Sequence, residues 1–491
     1  MPALLIAIAA AAWWGRDYLP TPQPLRSGAD SATRNQVYYG PSNSIAVLPF
    51  TDASGEGPTA LGEGFSRELI DLMQRIPGVQ VTAHSSSGLF RDRELPARVV
   101  SEQLRAAHIL SGDYRESDGQ VEVSISLVAA RRDEEIEAGT LAGPPSGADA
   151  VHGEVLAAVL QAMGVTAPEP LPATPPVPAP ARRLVLQGLY DWLPGDPGAL
   201  QAAQESFEAA LRLEPGYGPA WVALARTWLA TGAAEAVAEA RAALDRALSL
   251  DPEDADALAL ESHLLRSHDW DWRGAEAAAL RALEFKPGDA ALMSNAALAR
   301  LALGRFEQAV ALLEDAARRD PLNLSVGIQL GVAQEFAGQY DPALSSYRRV
   351  AGLYPEFPGV YASRARIKLI QDKPESALRE SDKEGNLLWK RYARALALTA
   401  LQRSAEAELV LAALIDEEGH RAAFQVAEIM AFGGRTDEAF EWLERAYRQR
   451  DSGLSTLLGN YFLRELRSDP RWADLLERLE LPVPEPLNPV D

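Results

Sequence analysis

Three prolines, Pro287, Pro321 and Pro355, stand 34 residues apart, and the small residues around them keep the same step. In Ala290–Asn323, AALMSNAALARLALGRFEQAVALLEDAARRDPLN, Ala297 is followed by Gly304, Ala309, Leu313, Ala316 and Pro321. This spacing predicts a helix-turn-helix unit. Ala297 and Ala309 are small where two antiparallel helices cross. Gly304 ends the first helix in the left-handed conformation such an end needs. Leu313 fills the gap towards the next helix, and Pro321, with no N–H, stops the second.

The following unit reads Gly331, Gly338, Ala343, Tyr347, Val350 and Pro355, and the preceding one ends Ala275, Ala279, Ala282 and Pro287. Before that come Trp221, Leu224, Ala225, Trp228, Gly232, Ala240, Leu244, Ala247 and Pro252, and, in the first unit, Phe207, Ala210 and Pro215. Later units keep the small pairs Ala365 and Ala377, Ala395 and Ala407, and Ala427 and Ala439. About eight units span residues 182–451 on this count. An unrelated alanine-rich bundle would lack glycine and proline punctuation at a fixed period. The pattern resembles the tetratricopeptide repeat. It implies a mainly α chain: a tetratricopeptide-repeat superhelical solenoid preceded by a small α/β domain.

Composition removes several functions. The formal net charge is −22, and only five of the 47 basic residues are lysine. A nucleic-acid surface needs a cation for each phosphate it neutralises, so direct nucleic-acid binding is not expected. There is no cysteine, which excludes disulfides, thiolate zinc sites and cysteine nucleophiles. The six histidines, His84, His108, His152, His263, His268 and His420, are scattered.

Residues 2–14, PALLIAIAAAAWW, are an uninterrupted apolar run ended by Arg16 and Asp17. The run is short of the roughly 20 residues of a spanning helix, but Trp13, Trp14 and Tyr18 suit a membrane interface. Residues 1–18 are read as a membrane anchor or the core of a signal segment, although the basic flank of either is missing. Residues 19–43, rich in Pro, Ser, Gly and Asn, form a linker.

Residues 44–166 predict the α/β domain. Ser44–Phe50 and Val79–Val81 read as strands, with Asp52–Gly57 a loop between them. Leu61–Ile76 is an amphipathic helix with Phe65, Leu69, Leu72 and Ile76 on one face. Pro96–Ala106 is a second helix. His108–Arg115 and Gln120–Val128 pair around the hairpin signal Asp118-Gly119. Glu134–Leu141 adds an edge strand and Asp149–Met163 a closing helix. The Pro-rich stretch 167–181 is a semi-rigid spacer that holds this domain apart from the solenoid. Residues 452–481 predict a cap over the last repeat, and 482–491 a disordered tail.

SIAVLPF, GEGFSRELIDLMQRIPGVQV, SSSGLFRD and ILSGDYRESDGQVEVSISLV resemble the TolB amino-terminal-like domain. Asp269-Trp-Asp-Trp272 and Leu466-Arg-Ser-Asp-Pro-Arg-Trp472 continue the resemblance, which covers residues 44–481. In bacteria this domain precedes tetratricopeptide repeats in membrane-bound winged-helix regulators and class III adenylate cyclases. Neither effector lies within this sequence. The resemblance implies an inner-membrane-associated chain with a periplasmic body, and tryptophans of the DWDW turn packed into the next repeat. Arg16 points instead to a cytoplasmic body by the positive-inside rule.

Three stretches invite a chemical reading, and each has a plainer one. Asp52–Gly57 and Leu61–Gly64 lie ahead of a helix, where phosphate can bind, but no Lys-Ser/Thr follows and Glu56 and Glu63 would repel an anion. They read as a turn and a cap. Ser85–Ser87 beside His84 lack a G-x-S-x-G elbow and read as a polar loop. Asp269 and Asp271 with His263 and His268 fit a repeat turn better than a metal site, which needs three or four convergent ligands. No catalytic, cofactor or metal residue is assigned, and the chain is read as a non-enzyme.

The first helix of each unit lines the inner face of such a solenoid. The matching groove positions are Val222, Arg226 and Leu229; Ser294, Leu298 and Leu301; Ile328, Val332, Glu335 and Phe336; Ala362, Arg366 and Leu369; and Phe424, Glu428 and Phe432. The Lys and Asn pattern that clamps a terminal carboxylate is missing. An apolar groove with isolated charges suits an amphipathic helix or an extended peptide with hydrophobic anchors. The expected function is a membrane-associated sensor or scaffold that binds protein or peptide partners, with self-association left open. The alternative is the sensory part of a winged-helix transcriptional regulator.

Overall fold

The chain is described by a computed structural model that covers residues 40–52, 59–91, 95–117, 120–143, 148–172, 178–192, 197–233 and 235–483. The anchor or signal segment 1–18 with its apolar run 2–14, nearly all of the 19–43 linker, most of the 52–57 loop and the tail beyond Val483 lie outside the described residues. Among the described residues no helix is long and apolar enough to cross a membrane.

Among the described residues six strands form one sheet, β1 (Ser44–Val47), β2 (Thr51–Asp52), β3 (Gln80–Val81), β4 (His108–Ser117), β5 (Gln120–Ala129) and β6 (Glu134–Gly143). The order is β3-β1-β4-β5-β6, with β2 beside β4. β1 pairs in parallel with β3 and β4, and β4-β5-β6 is an antiparallel meander. The alternation along β5 sends Val121, Val123, Ile125 and Leu127 into the core. There they meet Phe65, Leu69 and Leu72 of α1 (Ala60–Gln74) and Val151, Val155 and Val159 of the closing helix, Ala148–Ala162. Thr59 caps α1 by accepting the Gly62 amide at 3.2 Å.

His84–Ser87, expected as a loop, is a short helix α2, and α3 spans Ala97–Leu104. The closing helix, Ala148–Ala162, is α4. The solenoid follows as eight helix pairs. They are α5 (Ala179–Asp191) with α6 (Pro197–Leu213), α7 (Gly218–Ala230) with α8 (Ala236–Leu250), and α9 (Ala255–Leu264) with α10 (Trp272–Phe285). Next come α11 (Ala290–Ala302) with α12 (Phe306–Arg319) and α13 (Leu324–Phe336) with α14 (Tyr340–Leu353). The last three are α15 (Val360–Ile370) with α16 (Pro374–Asp382), α17 (Leu387–Ala400) with α18 (Ser404–Glu418), and α19 (Ala423–Phe432) with α20 (Thr436–Arg448).

The repeat residues do what their spacing predicts. Ala297 and Ala309 are fully buried at the α11/α12 crossing. Asp254, Asp289, Asn323 and Asn386 cap the first helices of their units, each accepting an amide of the first turn. The turn inside a unit takes a left-handed residue, Gly304 at φ 74° and Gly338 at φ 72°. Trp270 holds the same conformation at φ 63° after a π-helical turn, Leu265–Asp269. That turn inserts one extra residue, so this unit departs from the 34-residue step without losing phase.

The α/β domain is docked on the solenoid, not held apart by the spacer. Ala46, Phe90, Val100, Leu104 and Ile109 share one buried cluster with Leu322, Leu324, Val350 and Tyr354. Backbone bonds cross the junction from Ala83 N to Arg319 O at 2.8 Å and from Gly288 N to Gln74 O at 2.9 Å. Lys286, 5% exposed, reaches Asp71 of α1 and Asp256 of α9. Arg182 of α5 pairs with Glu68. Burying apolar surface common to both parts, at roughly 25 cal/mol per Å2, outweighs the freedom a separating spacer would have kept.

Candidate interaction groove

The inner face is built by α11, α13, α15, α17 and α19, and across it lies a segment of the same chain. After α20 the backbone turns at Gln449–Asp451 into two 3-10 stretches, Ser452–Gly459 and Tyr461–Ser468, followed by α21 (Pro470–Arg478). Helix α21 of this arm packs on α20 of the last repeat, where Arg471 pairs with Asp437 at 3.0 Å and Arg478 with Glu444 at 2.8 Å. The 3-10 stretches of the arm run back along the groove. Leu458 lies against Gly304, the backbone at Gly459 lies on the ring of Phe336, and the backbone at Gly453 lies on the ring of Phe424. A side chain at either arm glycine would collide with the phenylalanine beneath it. The far end of the arm reaches α10, where the Trp272 indole donates to the Leu479 carbonyl at 2.6 Å.

Leu454, Leu457, Phe462, Leu463 and Leu466 anchor the arm and are almost completely buried. Phe462 meets Phe432 edge-on with ring centroids 5.2 Å apart, and the Arg366 guanidinium stands 4.7 Å from the Phe462 ring centroid. Arg366 is the centre of a buried polar knot. It pairs with Glu335 at 3.0 Å and with Glu428, and it donates to the Tyr392 hydroxyl. Tyr347 donates to Glu335 at 3.3 Å, and Asn460 of the arm donates its amide to Glu428 at 2.7 Å. Burial pushes the Glu335 carboxyl above the ordinary range, more than Arg366 pulls it down. Two carboxylates around one guanidinium leave excess negative charge, and the neutral donors Tyr347 and Asn460 spread it.

The groove residues named from sequence fall into two groups. Glu335, Phe336, Arg366, Phe424 and Phe432 are brought together, beneath the arm. The others lie apart from the arm's polar knot. Val222 is buried with Ala240, Leu244 and Leu260 between repeats. Leu301 packs with Ala309, Leu313 and Ala333, with Leu298 half-buried beside them. Ile328 and Val332 pack with Tyr347. Arg226 is paired with Asp256 at 2.9 Å. Val222, Leu301 and Ile328 are buried, and Arg226, Leu298 and Val332 are half-buried. Tyr392, Asn460 and Phe462 are not singled out by the sequence, and Tyr347 is singled out only as a repeat position. Asn460 and Phe462 lie outside any repeat, where the 34-residue period says nothing.

The other stretches also find their places. Ser85 and Ser86 donate to Asp320 at 2.5 and 2.6 Å, and Ser86 accepts the Leu322 amide at 3.0 Å, so these serines fasten the α/β domain to the solenoid. Asp271 caps α10 through the Gly274 amide, and Asp269 pairs with Arg241 at 2.7 Å. Trp270 packs on Tyr447 and beneath Arg450 near the chain's end, not simply into the next repeat.

A tetratricopeptide-repeat profile matches residues 196–264. Putative adenylate cyclase 3 of Rhizobium meliloti (strain 1021) is 27% identical over 86 residues, which are 17% of this chain and 15% of that protein. Among solved structures, a tetratricopeptide repeat protein from Parabacteroides merdae is 16% identical, with a TM-score of 0.39 over 55% of this chain and 100% of its own. Yeast Tom70 is 18% identical, with a TM-score of 0.36 over 60% of this chain and 67% of its own. The fold is a tetratricopeptide-repeat superhelix preceded by a small α/β domain.

Proposed function

We propose that this chain is a non-enzymatic protein-interaction module, a sensor or scaffold held at the inner membrane by residues 2–18 with its body in the periplasm. The observation that carries the interaction role is the arm itself. The inner face holds an apolar stretch of 3-10 polypeptide by leucine and phenylalanine anchors, two glycine-on-phenylalanine contacts and one asparagine-carboxylate bond. Those are the means by which a groove recognises a peptide. The half-buried inner-face side chains Leu229 and Leu298, away from the knot, are where a partner segment would continue that surface.

A photoreactive residue placed at Leu229 or Leu298 in cells tests this, with Leu250, which is 38% exposed, as the control. Adducts of defined mass from the first two positions and none from Leu250 are expected. Equal labelling from all three, or none, would refute the groove. A second reading, the sensory part of an effector-bearing regulator, is supported by the Rhizobium relative, of which the aligned stretch is a small part. The intact mass of the native protein separates the two. A mass of 53.0 kDa favours the module alone. An excess of about 100 residues, one small domain, favours the regulator.

A further inference from the structure

Before α21, the arm has little structure of its own. Its two 3-10 stretches are eight residues each, whereas runs beyond 3–4 residues are uncommon because their hydrogen bonds are poorly aligned. What orders it is the seat: Phe336, Phe424, Phe432, Arg366 and Glu428 below it, and Trp272 at its end. All of these belong to helices that precede it in the chain. The connection to α20 is only Gln449–Asp451, and in it Arg450 holds φ at 53°. A left-handed arginine is strained relative to glycine. Arg450 is kept there by a hydrogen bond to the His268 carbonyl and by stacking 4.9 Å from the Trp270 ring.

A weakly self-structured arm, a seat built wholly by other residues and a short strained hinge are the conditions under which identical segments exchange between copies. We propose that residues 452–481 are an exchangeable arm, and that a second copy of this chain is the partner that fits the α11–α19 groove. In the reciprocal dimer each groove takes Asn460 and Phe462 from the other copy. The Glu335-Arg366-Glu428 knot is then completed in trans. Every seat contact is preserved, so exchange sacrifices the entropy of association and the hinge contacts: those of Arg450, the Asp451 amide on the Ala446 carbonyl at 2.9 Å and the Phe424 amide on the Asp451 carboxylate at 3.2 Å. Release of Arg450 from His268 and Trp270 is the gate, because a straightened hinge cannot keep them.

The absence of cysteine makes the test clean. A Cβ built on Gly304 lies 3.9 Å from Cβ of Leu458, inside the roughly 3.5–4.5 Å span of a disulfide. One full-length chain carries Gly304→Cys, another Leu458→Cys, and the two are unfolded and refolded together before oxidation. A covalent heterodimer joined through 304 and 458 is expected, increasing with protein concentration and lost when two glycines inserted after Arg450 relax the hinge. If a chain carrying both substitutions closes its internal bond while the mixed chains never link at any concentration, the proposal is overturned. Light scattering on the unsubstituted chain asks the same question without a cysteine. A monomer at every refolding concentration, or a dimer indifferent to the lengthened hinge, overturns it equally.

Discussion

The indole N–H of Trp272 is bonded to the carbonyl of Leu479 at 2.6 Å, across 207 residues of sequence. The second tryptophan of the DWDW turn therefore fastens the end of the arm. Trp272→Ala should destabilise the chain by about 3–5 kcal/mol through the cavity it leaves. Trp272→Phe keeps much of the ring packing but leaves a buried carbonyl without its donor, and should cost about 1–2 kcal/mol. Denaturant unfolding gives the two values. Amide exchange should quicken across Ser452–Ser468 in both variants, and equal exchange in mutant and parent would disprove the fastening.

Arg366 should be the costliest single side chain in the groove to remove. Arg366→Ala strands Glu335 and Glu428 together under the arm, and breaking a buried ion pair in this way costs about 3–5 kcal/mol. Replacing all three by apolar residues of similar size, Arg366→Met with Glu335→Leu and Glu428→Leu, should recover most of that loss. A triple variant no more stable than the single one, in the same unfolding measurement, would mean that packing and not stranded charge explains the loss.

The repeat was legible because its constraints are local and periodic. Ala297, Gly304, Ala309 and the capping Asp289 and Asn323 each answer to a neighbour within one helix pair, so the sequence carries their reason at a fixed spacing. The groove was legible only by position. The repeat spacing assigns Phe336 and Phe424 to the inner face, but nothing in their own units says that Gly459 and Gly453 will lie on them. The arm's leucines read as a cap over the last repeat, and apolar spacing does not encode that Leu458 and Gly459 also fold back onto Gly304 and Phe336. Ser86 shows the same limit. Its hydroxyl reads as polar loop chemistry until Asp320, 234 residues away, comes into contact.

Stability should fall in acid through Glu68. Burial alone would push its carboxyl up, but the His152 hydrogen bond and the Arg182 charge outweigh burial and hold it at about 2, against 4.5 for the free group. A carboxyl lowered on folding contributes stability that is present above about pH 4.5 and lost as the pH falls towards 2. Glu68→Gln should cost about 2 kcal/mol at neutral pH, with the gap to the parent closing between pH 4.5 and 2. Parallel curves for the two chains across that window would show that Glu68 is not the titrating group.

The junction of the α/β domain with the solenoid should depend more on Ser86 than on Ser85. Both hydroxyls donate to Asp320, but Ser86 also accepts the Leu322 amide and is fully buried. Ser86→Ala removes a donor and an acceptor at once, leaving the Leu322 N–H without a partner and Asp320 with one hydroxyl fewer. Burial already pushes the Asp320 carboxyl upward, and the Ser85, Ser86 and Asn323 bonds pull against it. The loss should be about 1–3 kcal/mol, while Ser85→Ala, which removes one bond at a half-buried site, should cost less. Amide exchange in His84–Ser87 and at Leu322 should rise together in Ser86→Ala, with the β4-β5 ladder unchanged. Faster exchange throughout the sheet would mean that the substitution unfolds the domain instead of loosening its attachment.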